Sequence, residues 1–388
     1  MAKRIEPNEL RELAEWRPRS GVISVCLLID PADRRESWRA QLRDGLKRVV
    51  ERSRERNREL WVATKATAER ILDGFPDARP HQPGRTQIGF VEVAEKPGRE
   101  RWYSFQLSAR ATEIVLWQRP YLGPLVELLD DGAPLGVLAV GAERVRLWEW
   151  SLGECEEVAN WEPEFRKRDW RERRAPQSAD PGRSQFTSAA GKDQIGQRLD
   201  ANRERFLHET GRALAEPLRS RGWRALLAFG SKDQVETVRQ TLEPLAAGLE
   251  QPVPLQLVAE KDIVGEGERQ VAERVEAALE GLNRDRELAL VRRAESATHA
   301  EGGSAALGRQ ETLQALDEGR VAHLIFDPSA SFDGEAPRPA WGIGEERGPE
   351  VAEMIEQALR TSAWVTPVEG EAAEALAAHE GVAALLRY

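Results

Sequence analysis

The chain has 388 residues, 40% of them hydrophobic and 31% charged, with a formal net charge of −10 at pH 7. That composition excludes intrinsic disorder, and the length excludes a single core, because chains beyond roughly 250 residues divide into domains. No apolar run reaches the roughly 20 residues that a bilayer requires, and the start MAKRIEPNEL holds no signal-peptide core; the reading is a cytoplasmic protein without a membrane partner.

A helix opens the chain. GVISVCLLID (21–30) follows as a continuous apolar run whose β-branched content predicts a buried strand. Helical stretches come next, at 34–53 and 57–74; in the first, Trp38, Leu42, Leu46 and Val49 recur at three- and four-residue steps and form one apolar stripe. TQIGFVEVAE, WYSFQLSA and ATEIVLWQ then predict successive strands of an antiparallel sheet, which completes an α+β N-terminal domain over 1–131.

A central α/β domain over 132–290 begins with LGVLAVG and RVRLWEWSL, separated only by Ala142 and Glu143 as a hairpin requires. A basic and flexible stretch, 162–194, leads to a helix from about 195 to 220 with Ile195, Leu199, Phe206, Leu214 and Leu218 on one face. WRALLAFGS, a helix over 232–248, PVPLQLVAE and a helix over 266–283 alternate as β-α-β-α, which predicts a mostly parallel sheet. The polar link ESATHAEGGSAALG (295–308) introduces a C-terminal α/β sandwich over 295–388. Its helices are QETLQALDEG, PEVAEMIEQALRTSA and EAAEALAAHEG, and its strands VAHLIFDPSA, AWVTPVE and VAALLRY. The fold class is therefore multi-domain α/β.

Charge is unevenly placed. Residues 295–388 carry 6 basic and 17 acidic residues, a balance of −11, against 50 basic and 49 acidic residues elsewhere. Such a domain is repelled by RNA and suits a protein partner. RKRDWRERR (166–174) concentrates Arg166, Lys167, Arg168, Arg171, Arg173 and Arg174 against two acids, a pattern that suits phosphate-rich RNA. The arginine-dense run 34–58, with Trp38, reads equally as a nucleic-acid surface or as a solvated helix face with i,i+4 pairs. Cys26 and Cys155 lie far apart and the five histidines lack ligand spacing, so neither a disulfide, a metal nor another cofactor is expected. Phosphate-loop signatures for a nucleotide are missing as well.

Four stretches in order resemble the archaeo-eukaryotic release factor and Pelota superfamily, and its bacterial members in particular: LGVLAVGAERVRLWEWSLGE, RERFLHETGRALAEPLRSRGWRALLAFGS, GRQETLQALDEGRVAHLIFD and HEGVAALLRY. The resemblance implies a tRNA-shaped factor that enters the ribosomal A site. It also implies a central loop, here 176–194, carrying Gly-Gly-Gln or Gly-x-x-Gln and hydrolysing the peptidyl-tRNA ester. A glutamine amide can hold a water in line with the carbonyl, and flanking glycines let the backbone approach closely. This sequence has no Gly-Gly-Gln; its candidates are Gly182 with Gln185 and Gly191 with Gln194. The stop-codon motifs Asn-Ile-Lys-Ser and Tyr-x-Cys-x-x-x-Phe are also absent from 1–131. The expectation is a ribosome-binding factor for hibernation or rescue that does not decode. The alternatives are a peptidyl-tRNA hydrolase of stalled ribosomes and an RNA-binding protein unconnected with the A site. In the superfamily the third domain faces a translational GTPase, which makes an EF-Tu-like GTPase the expected partner of 295–388, with Glu345, Glu346 and Glu350 on its outer face.

Overall fold

A computed structural model describes residues 5–30, 32–75, 84–141, 143–163, 188–246, 253–259, 261–298, 303–330, 342–343 and 349–387. The chain divides into two compact units, Met1–Gly132 together with Glu276–Tyr388, and Ala133–Val275.

In the first unit, α1 (Pro7–Ala14) precedes β1 (Val22–Leu28), α2 (Ser37–Arg56), α3 (Arg58–Gly74), β2 (Thr86–Glu92), β3 (Glu100–Phe105), β4 (Glu113–Trp117) and α4 (Gly123–Asp131). The strands pair antiparallel, as the alternating runs predict, with β1 between β2 and β4 and with β3 at an edge. Strand β1 is buried on both faces, which explains its unbroken apolar sequence. One face takes the α2 and α3 stripe: Ile23, Val25 and Leu27 pack with Trp38, Leu42, Leu46, Val49 and Leu60. The two helices separate at Asn57, an extended residue whose side chain accepts a hydrogen bond from the Leu60 amide at 2.7 Å and so caps α3. The opposite face is closed near α4, where the Tyr121 amide donates to Ser24 Oγ at 2.9 Å.

The second unit holds β5 (Leu135–Val140), β6 (Val145–Ser151), β7 (Glu154–Trp161), α5 (Ser188–Ala213), α6 (Ala215–Ser220), β8 (Leu226–Gly230), α7 (Lys232–Ala246) and β9 (Leu255–Ala259). Its sheet order is β7-β6-β5-β8-β9. β8 and β9 run parallel beside β5, as the helix-separated strands predict, whereas β6 and β7 add antiparallel hairpins. The sheet is thus evenly mixed, because sequence reading overlooked β7, an acidic edge strand with little apolar signal. Phe206, Leu207, Leu214 and Leu218 from α5 and α6 join Val235, Val238 and Leu242 over Leu138, Val140, Val145 and Leu147. Gly230 ends β8 at φ 148, where a Cβ would collide with the Val140 carbonyl.

Helix α8 (Glu268–Thr298) starts in the second unit and continues into the first. Its expected end near 283 is corrected by 15 residues. No proline follows, and Asn283, Glu287, Val291 and Ala294 extend its buried stripe toward Ile325, Ala383 and Leu385. The rest of the first unit comprises β10 (Ala305–Leu307), α9 (Arg309–Asp317), β11 (Val321–Phe326), β12 (Gly342–Ile343), α10 (Pro349–Arg360), β13 (Trp364–Pro367), α11 (Gly370–Ala377) and β14 (Val382–Leu386). A four-stranded sheet runs β10-β14-β11-β13, while β12 leaves it and pairs with β4 of the N-terminal sheet. Residues from both ends of the chain therefore complete one sheet. Among the described residues no helix is long and apolar enough to cross a membrane.

Candidate functional site

The candidate segment is the connection between β7 and α5. Trp161, at the end of β7, pairs in register with Val145 beside the β5–β6 turn. Arg144 holds that corner, with Nε 2.9 Å from Asn160 Oδ1 and 3.2 Å from a Glu162 oxygen. Residues 164–187 lie outside the described residues, and with them Gly182, Gln185, Arg166, Lys167, Arg168, Arg171, Arg173 and Arg174.

The second candidate pair is placed differently from expectation. Helix α5 begins at Ser188, so Gly191 and Gln194 sit on helical backbone, three residues apart, and not in a loop extending to 194. No proline follows Pro181 until Pro217, and nothing in SAAGKDQIGQRL stops a helix except two glycines, each costing only about 1 kcal/mol. A helical Gly191 does not use glycine's access to positive φ.

Several described cations and aromatics of the second unit are engaged. The Arg146 guanidinium lies 4.4 Å from the centroid of the Trp148 ring, donates to the carbonyls of Val264 and Glu266 at 2.9 and 2.8 Å, and pairs with Glu157. On the other face of the sheet, Glu149 accepts from Trp223 Nε1 at 2.9 Å and from Arg221 at 3.3 Å. These contacts fix the platform from which the segment leaves. His208 is likewise occupied, its Nδ1 lying 2.5 Å from Thr241 Oγ1 between α5 and α7.

Two further sequence readings change in the structure. Trp38 is only 8% exposed and belongs to the core, with Arg39 stacked 4.5 Å above its ring; it does not offer a free face of the α2 surface. Along α2, Lys47 pairs with Glu51 at i,i+4, as the solvated-face reading predicts. The acidity of 295–388 is partly neutralised within the first unit. Arg119 bridges Glu353 at 3.2 Å and Glu356 at 2.8 Å, Arg17 reaches Glu356 at 3.4 Å, and Arg110 pairs with Glu369. Glu350 is held by Arg309 at 2.5 Å and is mostly buried, so it is not part of an outer acidic face.

A second ionic cluster joins α4 to α8: Arg286 grips Asp130 at 2.5 Å, Arg110 meets Asp131 at 3.2 Å, and Asn283 donates to Asp131 at 3.1 Å. Burial raises the Asp131 and Glu287 carboxyls above their ordinary range. His323 Nε2 lies 2.8 Å from Thr366 Oγ1, and burial lowers this imidazole to about 4, which keeps it neutral. These groups clamp one part of the unit to another. No group of three or more metal-ligating side chains occurs among the described residues.

With β5, β6, α5 and β8 in this order, residues 120–280 match the family model for bacterial archaeo-eukaryotic release factor family 10. The matched span contains the whole of the second unit, and over that span the resemblance read from the sequence is supported. Among solved structures, the chain is similar to the archaeal translation termination factor aRF1, at 18% identity over 99% of both chains and a TM-score of 0.22. It is also similar to Archaeoglobus fulgidus Pelota, at 12% identity over 99% of this chain and 92% of that one, with a TM-score of 0.35. For S. cerevisiae Dom34 the values are 11% identity, 78% of this chain, 80% of that one and a TM-score of 0.37. At these TM-scores the likenesses add nothing to the family match. No curated protein matches the chain.

Proposed function

We propose that the protein is a ribosome-associated translation factor of the release-factor type, one that occupies the A site without reading a stop codon and serves hibernation or rescue. The match of residues 120–280 to the bacterial release factor family carries this reading. The missing Gly-Gly-Gln and missing decoding motifs separate it from termination. In this reading the chain works as three segments, 1–131, 132–290 and 295–388. The arginines at 166, 168, 171 and 173 contact ribosomal RNA, and an EF-Tu-like GTPase meets the last segment.

The test is co-sedimentation of the full chain with ribosomes at rising salt. Binding that weakens and loses salt dependence when Arg166, Arg168, Arg171 and Arg173 become Ala supports the RNA contact, since each phosphate contact releases counterions. Failure to co-sediment at low salt overturns the proposal.

A second reading, peptidyl-tRNA hydrolysis, is favoured by the position of Gly182-Arg183-Ser184-Gln185 ahead of helix α5. Release of labelled peptide from stalled ribosomes that disappears in Gln185→Ala but persists in Gln194→Ala supports it. Ribosome binding without release leaves the first reading alone.

A further inference from the structure

A cavity of about 700 Å3 opens on the α2–α3 side of the N-terminal sheet, far in sequence from the β7–α5 segment. Its aromatic wall is a run of three rings. Phe75 lies 5.7 Å from Trp38 and 5.2 Å from Trp102, centroid to centroid. Trp102 is seated flat on the strand opposite, because its register partner is Gly89, where any Cβ would collide with the indole. Replacing Gly89 by another residue would therefore push the ring off the sheet.

The charged groups that line the cavity are not equivalent. Arg39 is already satisfied by Glu36 at 2.6 Å and by the Trp38 ring. Arg70 donates to the Ala94 carbonyl at 2.9 Å, the Glu95 carbonyl at 3.3 Å and Thr67 Oγ1 at 3.0 Å. Gln87 is tied to Ser104 Oγ at 2.7 Å. That leaves Asp73, at the end of α3, and Glu100, on the same face of β3 as Trp102, both exposed and with no ion pair among the described residues. The chain's own Arg39 shows the chemistry of this cavity: a guanidinium on an indole face with a carboxylate beside it. Trp102 with Glu100 and Asp73 repeats those components without a cation among the described residues.

We propose that this cavity binds an organic cation, an ammonium or guanidinium group held over the Trp102–Phe75 wall and countered by Glu100 and Asp73. Ring quadrupoles attract such cations and reject anions, and the two carboxylates have the same preference. A phosphate-bearing ligand is disfavoured, because both arginines at the cavity already have partners. The cation comes either from a free polyamine or from a lysine or arginine side chain of a basic peptide.

The proposal is independent of ribosome binding and is tested on the full chain without ribosomes. Tryptophan fluorescence and calorimetry are recorded with spermidine, with tri-arginine, and with adenosine monophosphate as the anionic aromatic control. Saturable binding of a cationic probe is expected. It should weaken about ten-fold in Glu100→Gln/Asp73→Asn, whose exposed positions leave folding intact, and in Trp102→Leu, which keeps an apolar side chain but loses the ring. Preference for spermidine identifies a polyamine source, and preference for tri-arginine a peptide source. No saturable binding of either cation, equal binding by the Glu100→Gln/Asp73→Asn variant, or tighter binding of adenosine monophosphate overturns it.

Discussion

The seam inside the first unit and the core of the second are both buried, but they are built from different materials. In the second unit, helices α5 to α7 lay leucines, valines and a phenylalanine on Leu138, Val140, Val145 and Leu147. In the first, residues 1–132 and 276–388 meet through an apolar cluster, Val115, Trp117 and Tyr121 with Ala352, to which a set of carboxylates and guanidiniums is added. Glu356, only 3% exposed, takes Arg17, Arg119 and Arg360, and Asp130 takes Arg286 and the Thr366 hydroxyl. An apolar core tolerates losses in proportion to volume. An ionic seam depends on keeping every partner, because a lone buried charge has no solvent to return to.

The largest effect should come from hollowing the apolar core. Leu138→Ala removes a fully buried side chain between β5 and the helices and is expected to cost the second unit about 4 kcal/mol in chemical denaturation. A loss below about 1 kcal/mol would show that this core collapses around the gap.

Breaking the seam should cost about 3 kcal/mol. Arg119→Ala takes from Glu356 its shortest ion pair and leaves it Arg17 and Arg360, whereas Arg119→Met with Glu356→Leu removes both of the more buried charges and should restore part of the lost stability. Equal destabilisation by the single and double variants would mean that the ion pair itself, and not a carboxylate left short of counter-charge, sets the stability of the seam.

His323 offers the gentlest probe. Its folded-state value, lowered by burial to about 4 from an ordinary 6.5, means that the unfolded chain binds the proton first as pH falls. The stability is fully present above 6.5 and is lost progressively down to about 4, by at most roughly 3 kcal/mol. His323→Gln should flatten the denaturation midpoint across that window. An unchanged pH profile would place the acid sensitivity elsewhere in the seam.

The same contrast governs what could be read without coordinates. The stripe Trp38, Leu42, Leu46, Val49 and the one-faced run with Phe206, Leu214 and Leu218 were legible, because burial against a sheet imposes a period on apolar residues, although the single helix expected over 195–220 is two, broken at Leu214. Strand β7 was not, since ECEEVANW at a sheet edge need not be apolar. The seam was invisible for a different reason: Arg119 and Glu356 are far apart in sequence and look like ordinary surface charges until the fold joins them. Two-residue β12 gave too short a signal to register. Of the candidate site, the Gly-x-x-Gln spacings and the basic run could be found by inspection, but whether Gln194 stood in loop or helix could not. The start of α5 is polar and small-residue rich, and carries no apolar period.

The pairing of β12 with β4 bears on how the chain is made. During synthesis the second unit has all its strands once Ala259 has emerged, yet the N-terminal sheet still shows an unpaired β4 edge until Gly342 and Ile343 arrive. Arg119 similarly waits for Glu356. A nascent chain halted between these points displays a finished middle and an unfinished beginning, with an open strand edge of the kind that recruits chaperones or mispairs with neighbouring chains.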